Sequence, residues 1–382
     1  MRRLSRPTIL LLSATAGFGH VKAGKSLAVA LCDRFPNWDI VHENIGDFSD
    51  AVLRNSTERG WLVVSTTPIL RSVYSFLHRK ILSSDRLCRI IAPLFYGIGR
   101  NLAKVYGSRD VRAVIALHPA AVAAAVGWRR EREFVVSAVA TDLIVHGLQS
   151  LPGVDIVFAD RGALFVSCAA RQLKSSGGVF FSGLPIEKKF FQDRRKVGDQ
   201  LENVVVSFGA LGLRGSRNVR KLVSIMSAET ELKFSVVCGN NPSFRQKLIR
   251  AVSDAGILER VSVFGFVDDM QEKLFNACLF LGKPGGISIG EALASGVPIG
   301  ILDFLPGQEE ANIEALRRMG CSTTVFELTG HEGTTLHQQV MSQVTRLPRW
   351  RASTSGGIEA IVSHLGQVLT EDARCSKTGH GN

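Results

Sequence analysis

Apolar residues fall into short runs that alternate with longer, helix-spaced stretches along the chain. The first set of runs reads TILLLSA (8–14), WDIVHE (38–43), AVIALH (113–118), FVVSAVA (134–140), VDIVFA (154–159) and GVFFSG (178–183). The second reads NVVVSFG (203–209), KFSVVCG (233–239), VSVFG (261–265), CLFLG (278–282), VPIGILD (297–303) and CSTTVFEL (321–328). Several are apolar at nearly every position, as parallel strands covered on both faces must be. Strands alternating with helices predict the α/β class, here as two doubly wound, Rossmann-like domains. The length of 382 residues agrees, since a single core stops growing at about 250–300 residues. The charged stretch LPIEKKFFQDRRKVGDQLE separates the two sets, giving an N-terminal domain at 1–190 and a C-terminal domain at 200–345. A helical segment at 346–370 is expected to pack back on the N-terminal domain, and the polar residues 371–382 to form a disordered tail.

Ligands of open α/β sheets bind beyond the carboxyl ends of the strands. Two such domains facing each other make a cleft. Gly-rich stretches stand at the expected places: SATAGFGH after the first strand, SFGALGLRG after the seventh, GKPGGISIGEAL after the tenth and LDFLPGQEEAN after the eleventh. The first supports two readings. From Gly19 it spells G-x-x-x-x-G-K-S, the pattern of an ATP-binding P-loop. From Gly17 it spells G-x-G-H, where the glycines turn the backbone tightly and His20 enters a site at the start of a helix. The spacing of Val21, Leu27, Ala28 and Leu31 favours the second, because it starts a helix near His20 and puts Gly24 and Lys25 inside it. A P-loop also needs a magnesium-binding Asp at a neighbouring strand end, for which Asp142 is available. The plain alternative for His20 is a packed core histidine.

In KPGGISIGEAL, two glycines precede a helix. The first-turn N–H groups at 286–288 and the positive end of the helix dipole suit an anion. Glu291, just over one turn inside, suits a vicinal diol such as a ribose; alternatively Gly285 and Gly286 only make a turn and Glu291 is a solvated acid. In PGQEEAN, Gln308 and Glu309 form a donor–acceptor set fit for sugar hydroxyls, though acids in a first helical turn are favourable in any case.

Charge and cysteine content narrow the partners. A formal charge of +12 implies an anionic one. Seven scattered cysteines without a C-x-x-C fit a reducing cytosol. The opening MRRLSR-TILLL-SATA imitates a signal peptide, but cleavage would remove the first strand, so the run is taken as a buried strand. AVIALHPAAVAAAVGW, the longest apolar stretch, is shorter than the ~20 residues of a spanning helix. Residues 67–112 carry nine basic side chains, among them Arg79, Lys80, Arg86 and Arg89, against Asp85 and Asp110. Interleaved with them are Tyr74, Phe76, Leu77, Ile90, Ile91, Leu94, Phe95 and Tyr96. A basic, amphipathic segment of this kind predicts a peripheral seat on an anionic membrane surface, here the inner face of the cell membrane. Nucleic acid would meet the same charges, but the chain shows no nucleic-acid-binding signature. The remaining alternative is a set of core helices with a solvated basic face.

Taken together, SATAGFGHVKAGKSLAVAL, ATDLIVH, VCGNNPSFRQKL and KPGGISIGEALASGVPIGILDFLPGQEEANIEAL resemble the GT-B glycosyltransferases that make glycolipids. These are the plastid monogalactosyldiacylglycerol synthases and the bacterial processive diacylglycerol glucosyltransferases. The GlcNAc transferase that forms lipid II is a more distant resemblance. The resemblance implies inverting transfer of a hexose from UDP-glucose or UDP-galactose to diacylglycerol, with no cofactor or metal. It gives His20 the role of base. Gly209 belongs to the loop near the diphosphate, and Phe266 and Val267 to the loop whose backbone meets the uracil. Gly285, Gly286 and Ser288 form the phosphate turn, Glu291 binds the ribose, and Gln308 and Glu309 contact the donor sugar. Asp142 and His146 fall in a motif at the acceptor cleft. Gly290 and the turn AGFGH depart from the family pattern, which bears on sugar choice. The chain has no D-x-D, and Asp268–Asp269 fits a helix N-cap.

Overall fold

A computed structural model describes residues 6–14, 18–50, 84–165, 178–191, 202–212, 215–304, 307–319 and 356–378. The chain divides into two units. One is Met1–Lys188 with Gly356–Asn382, and the other is Lys189–Ser355.

The first unit contains β1 (Pro7–Ser13), α1 (Phe18–Arg34), β2 (Asp39–Asn44), α2 (Asp85–Ile91), α3 (Tyr96–Tyr106), β3 (Asp110–Ala116), α4 (Pro119–Arg129), β4 (Val135–Val139), β5 (Ile144–Val145), β6 (Ile156–Ala159), β7 (Leu164–Phe165) and β8 (Gly178–Phe181). A six-stranded sheet runs β2-β1-β3-β4-β6-β8, parallel at every pairing. Its inner strands are buried on both faces, with Ile9–Leu12 and Ala113–Ala116 wholly inaccessible, which accounts for their unbroken apolar runs. α4 follows His118, whose side chain caps the helix by accepting from Ala120 N. Its alanines let α3 approach closely: a Cβ on Gly99 would lie 2.4 Å from the Ala124 carbonyl. β5 and β7 form a separate two-stranded sheet that the apolar pattern did not predict, being two residues each.

The second unit contains β9 (Asn203–Ser207), α5 (Val219–Ala228), β10 (Lys233–Val237), α6 (Pro242–Asp254), β11 (Val261–Phe264), α7 (Met270–Phe275), β12 (Ala277–Gly282), α8 (Gly286–Ala294), β13 (Ile299–Ile301) and α9 (Gln308–Arg318). Its five-stranded sheet runs β11-β10-β9-β12-β13, also parallel throughout. The core joins Val204, Val206, Phe208, Phe234, Phe244 and Leu281. The expected strand CSTTVFEL lies outside the described residues.

The last helix, α10 (Gly357–Thr378), belongs to the first unit. His364 stacks on Phe180 at 4.1 Å, and Gly357 abuts the Leu184 carbonyl so closely that a Cβ would lie 1.8 Å from it. The helix continues beyond residue 370, where a disordered tail was expected. Nothing in the sequence of residues 371–374 breaks a helix already running.

The P-loop reading fails on geometry. Gly19 to Ser26 all lie within α1, so no loop wraps a phosphate there. Gly24 is required by packing instead, since a Cβ would lie 2.4 Å from His42 Nε2. Lys25 is exposed. Lys25→Ala is therefore expected to leave catalytic turnover and nucleotide affinity within about twofold of wild type, as exposed substitutions usually do little. A P-loop lysine could not be removed so cheaply, and a loss of tight ATP binding would restore that reading.

Candidate active site

In a doubly wound sheet the binding crevice opens where neighbouring strands send their connections in opposite directions. In the first unit this point lies between β1 and β3. α1 follows β1, and Leu117 and His118 follow β3. His20, in the first turn of α1, is buried at 8 % exposure. Its Nδ1 lies 2.8 Å from the Leu117 carbonyl oxygen and 2.8 Å from Thr141 Oγ1. A carbonyl only accepts, so Nδ1 carries the proton and Nε2 keeps its lone pair. Thr141 Oγ1 in turn lies 3.4 Å from Asp142 Oδ2. Burial lowers the His20 pKa from its ordinary value of 6.5, while the Asp142 charge and the Leu117 bond pull it back up. The result is a neutral imidazole with a fixed tautomer and a carboxylate at hand to stabilise its protonated form.

The His118 ring meets His20 edge-on, with centroids 5.0 Å apart. Burial holds its pKa well below 6.5, and the charges of His20 and His146 add to the effect. The structure thus assembles His20, Asp142 and His146, and adds Leu117, His118 and Thr141. A backbone carbonyl 97 residues away leaves no mark in the sequence. For Thr141 the available signal was its place beside Asp142 after a buried strand.

In the second unit the corresponding point lies between β9 and β12. Gly209 follows β9 at φ 77, with no atom within 4 Å of the Cβ position. It needs glycine for the backbone, and the space beside it is open. Gly285 caps α8, with Lys283 and Pro284 between it and the end of β12, and there too a Cβ would meet nothing within 4 Å. Gly286 is the first residue of α8, Ser288 is half-buried, and Glu291 is buried at 5 % exposure. Phe266 is exposed and Val267 half-buried in the loop after β11. Gln308 and Glu309 open α9 after β13. All the residues expected on the donor side therefore stand at or just beyond the carboxyl rim of one parallel sheet. Glu309 does more than the sequence indicated, since Lys283 Nζ lies 2.7 Å from its Oε1, both side chains being nearly buried.

Solved structures with the same arrangement are glycosyltransferases. The glycotransferase of kitacinnamycin superposes with a TM-score of 0.63 at 14% identity, covering 96% of this chain and 99% of that one. Acinetobacter baumannii MurG gives 0.55 at 12%, covering 96% and 99%. Medicago truncatula UGT71G1, complexed with UDP-glucose, gives 0.56 at 11%, covering 96% and 98%. The fold is GT-B. No family model matches the chain. In sequence, this GT-B protein is similar to the processive diacylglycerol beta-glucosyltransferase of Bacillus cytotoxicus, 24% identical over 339 residues, 85% of this chain and 83% of that protein. The protein of the same description from Bacillus subtilis (strain 168) is 22% identical over 352 residues, covering 89% and 86%.

The basic segment divides in two. Arg79 and Lys80 lie outside the described residues. In α3, Ile98, Leu102 and Tyr106 are buried, so that part of the segment is a core helix with a solvated basic face. α2 and the 3-10 turn Ala92–Phe95 differ. Cys88 and Ala92 face the core, while Leu87, Ile90 and Leu94 are 37%, 62% and 67% exposed beside exposed Arg86 and Arg89. Among the described residues no helix is long and apolar enough to cross a membrane.

Proposed function

We propose that the protein is an inverting glycosyltransferase that moves a hexose from a UDP-sugar to diacylglycerol or a glycosyl-diacylglycerol. The observation that carries the chemistry is the tautomer of His20, which leaves Nε2 able to accept a proton at the sheet's ligand-binding rim. Nε2 takes the proton of the acceptor hydroxyl as that oxygen attacks the anomeric carbon, and the bond from that carbon to the diphosphate breaks. Thr141 and Asp142 hold the ring and stabilise its imidazolium. On the donor side, the α8 start at Gly285, Gly286 and Ser288 offsets the charge of the departing UDP. Glu291 takes the ribose, Gly209 lies by the diphosphate, and the backbone at Phe266 and Val267 meets the uracil. Gln308 and Glu309 take the sugar. The helix start does the work a metal would otherwise do. The names of the similar Bacillus proteins support diacylglycerol as acceptor and glucose as the sugar, and the UDP-glucose complex of UGT71G1 supports a UDP-linked donor, with UDP-galactose the alternative. His146 is assigned to the acceptor side.

The test is UDP release and lipid chromatography, with UDP-glucose or UDP-galactose and diacylglycerol vesicles, with and without EDTA. The expected result is a β-linked glycolipid, and UDP release that depends on diacylglycerol and persists in EDTA. Release indifferent to diacylglycerol would refute the acceptor, and loss in EDTA restored by magnesium would refute the metal-free donor site.

Leu87, Ile90 and Leu94 with Arg86 and Arg89 are assigned to the surface that meets an anionic bilayer. Each basic residue near such a surface contributes roughly 1 kcal/mol. Replacing Arg86 and Arg89 by Gln should therefore weaken binding to anionic vesicles by roughly 30-fold, about 2 kcal/mol for the two charges, and salt should weaken wild-type binding in the same way. Transfer to a detergent-solubilised acceptor should be unchanged. Sedimentation unaffected by the substitutions would leave these charges only solvating a helix.

A further inference from the structure

Lys283 is the last residue before the Pro284-Gly285-Gly286 turn, and Glu309 is the second residue of α9. Their strands, β12 and β13, are neighbours in the sheet. Lys283 Nζ bonds Glu309 Oε1 at 2.7 Å, with side-chain exposures of 10% and 13%. A second tie runs beside it: Asn312 Nδ2, wholly buried, donates to the Pro284 carbonyl at 2.9 Å. Residues three apart share a helix face, so the face of α9 carrying Glu309 and Asn312 is pinned to the turn at two points. A buried ion pair is a poor device for stability, because desolvating the charges cancels most of their attraction, and apolar residues of similar size would serve as well. What the pair does provide is direction. A carboxylate held at one oxygen presents its remaining acceptor positions at fixed angles. Hexose epimers differ only in the direction of a hydroxyl, so a fixed acceptor distinguishes them and a loose one does not.

We infer that Lys283 is a positioning residue that sets which hexose the donor site accepts, by fixing the orientation of Glu309; this rests on the UDP-sugar reading above. Lys283 acts on the carboxylate and not on the diphosphate, so nucleotide affinity and sugar preference are separable. The experiment measures kcat/KM for UDP-glucose and UDP-galactose, and Kd for UDP, in Lys283→Met, Lys283→Arg, Glu309→Gln and the double variant Lys283→Met/Glu309→Gln. The preference between the two sugars should fall at least about fivefold in Lys283→Met, as a misdirected hydrogen bond is worth about 1 kcal/mol, while Kd for UDP stays within about twofold. Lys283→Arg keeps the cation but changes its geometry, so it should hold the wild-type Tm and shift the preference part of the way. It decides the matter if the Met variant does not fold. The double variant should lose no more preference than Glu309→Gln alone, because Lys283 acts only through Glu309. An unchanged preference in folded variants overturns the inference. So does UDP affinity falling in step with the sugar parameters, which would put Lys283 on the diphosphate. If the wild-type protein turns over neither sugar nucleotide, the functional reading fails and this inference falls with it, an outcome distinct from an unchanged preference in an active enzyme.

Discussion

His20→Ala should lower turnover by at least about 100-fold, the usual scale for losing a general base, with UDP affinity unchanged. The separation follows from the chain's division. His20 lies in the first unit, whereas Glu291 and the α8 turn lie in the second. The pH dependence sharpens the test. The base works only when neutral, and burial lowers the His20 pKa. The acid limb of kcat/KM should therefore lie below pH 6.5, the ordinary histidine value, with a plateau above it. Asp142 raises that pKa, so Asp142→Asn should move the limb to lower pH while slowing turnover, because the imidazolium loses its counter-charge. A limb moving to higher pH would uncouple the two residues. Near-normal turnover in His20→Ala would transfer the base elsewhere, first to Asp142. Stability follows the same sign. His20, His42 and His118 all have depressed values in the folded protein, chiefly through burial. As pH falls below 6.5 the unfolded chain takes up protons that the folded chain does not. The stabilisation present above that pH is lost progressively, and Tm should fall between pH 7 and about 5.

What the sequence disclosed follows from what its elements need. Parallel strands buried on both faces must be apolar at nearly every position, so eleven of the proposed strands reappear with small shifts at their ends. Helix starts after Gly-rich turns were readable because glycine is required there for the backbone or for space, as Gly209 and Gly285 show. Partnerships were not readable. The Leu117 carbonyl has no side-chain signature, and Lys283 and Glu309 are brought together by adjacent strands and not by spacing. Gly24 and Lys25 imitate a phosphate loop, but the apolar spacing already placed them inside α1, and the glycine makes room for the His42 ring beside it. The amphipathic reading of 67–112 treated as uniform a segment in which α3 packs into the core and α2 shows its apolar residues to solvent. Composition cannot separate these cases, because it does not say which face a neighbouring helix covers.

Glu291→Ala should weaken UDP binding by about 1–3 kcal/mol, roughly 5- to 150-fold, the range for a charged acceptor lost from a buried hydroxyl. The position supports the upper half of that range. Glu291 is 5 % exposed in a helix whose residues from Ile289 to Ala294 are all buried, so water cannot readily replace the carboxylate. It also stands in the second turn of α8, beyond the first-turn groups assigned to phosphate. The effect should therefore fall on the ribose and spare the rest of the nucleotide. Calorimetry with UDP, with 2′,3′-dideoxy-UDP and with uracil alone separates these contributions. The substitution should cost the most affinity for UDP, little for the dideoxy analogue, and nothing for uracil. Glu291→Gln should recover part of the loss, since an amide oxygen still accepts but without charge. If the variant keeps wild-type UDP affinity, the ribose has another partner. If it loses affinity for the dideoxy analogue equally, Glu291 only supports the helix start, and the phosphate turn is what the substitution has disturbed.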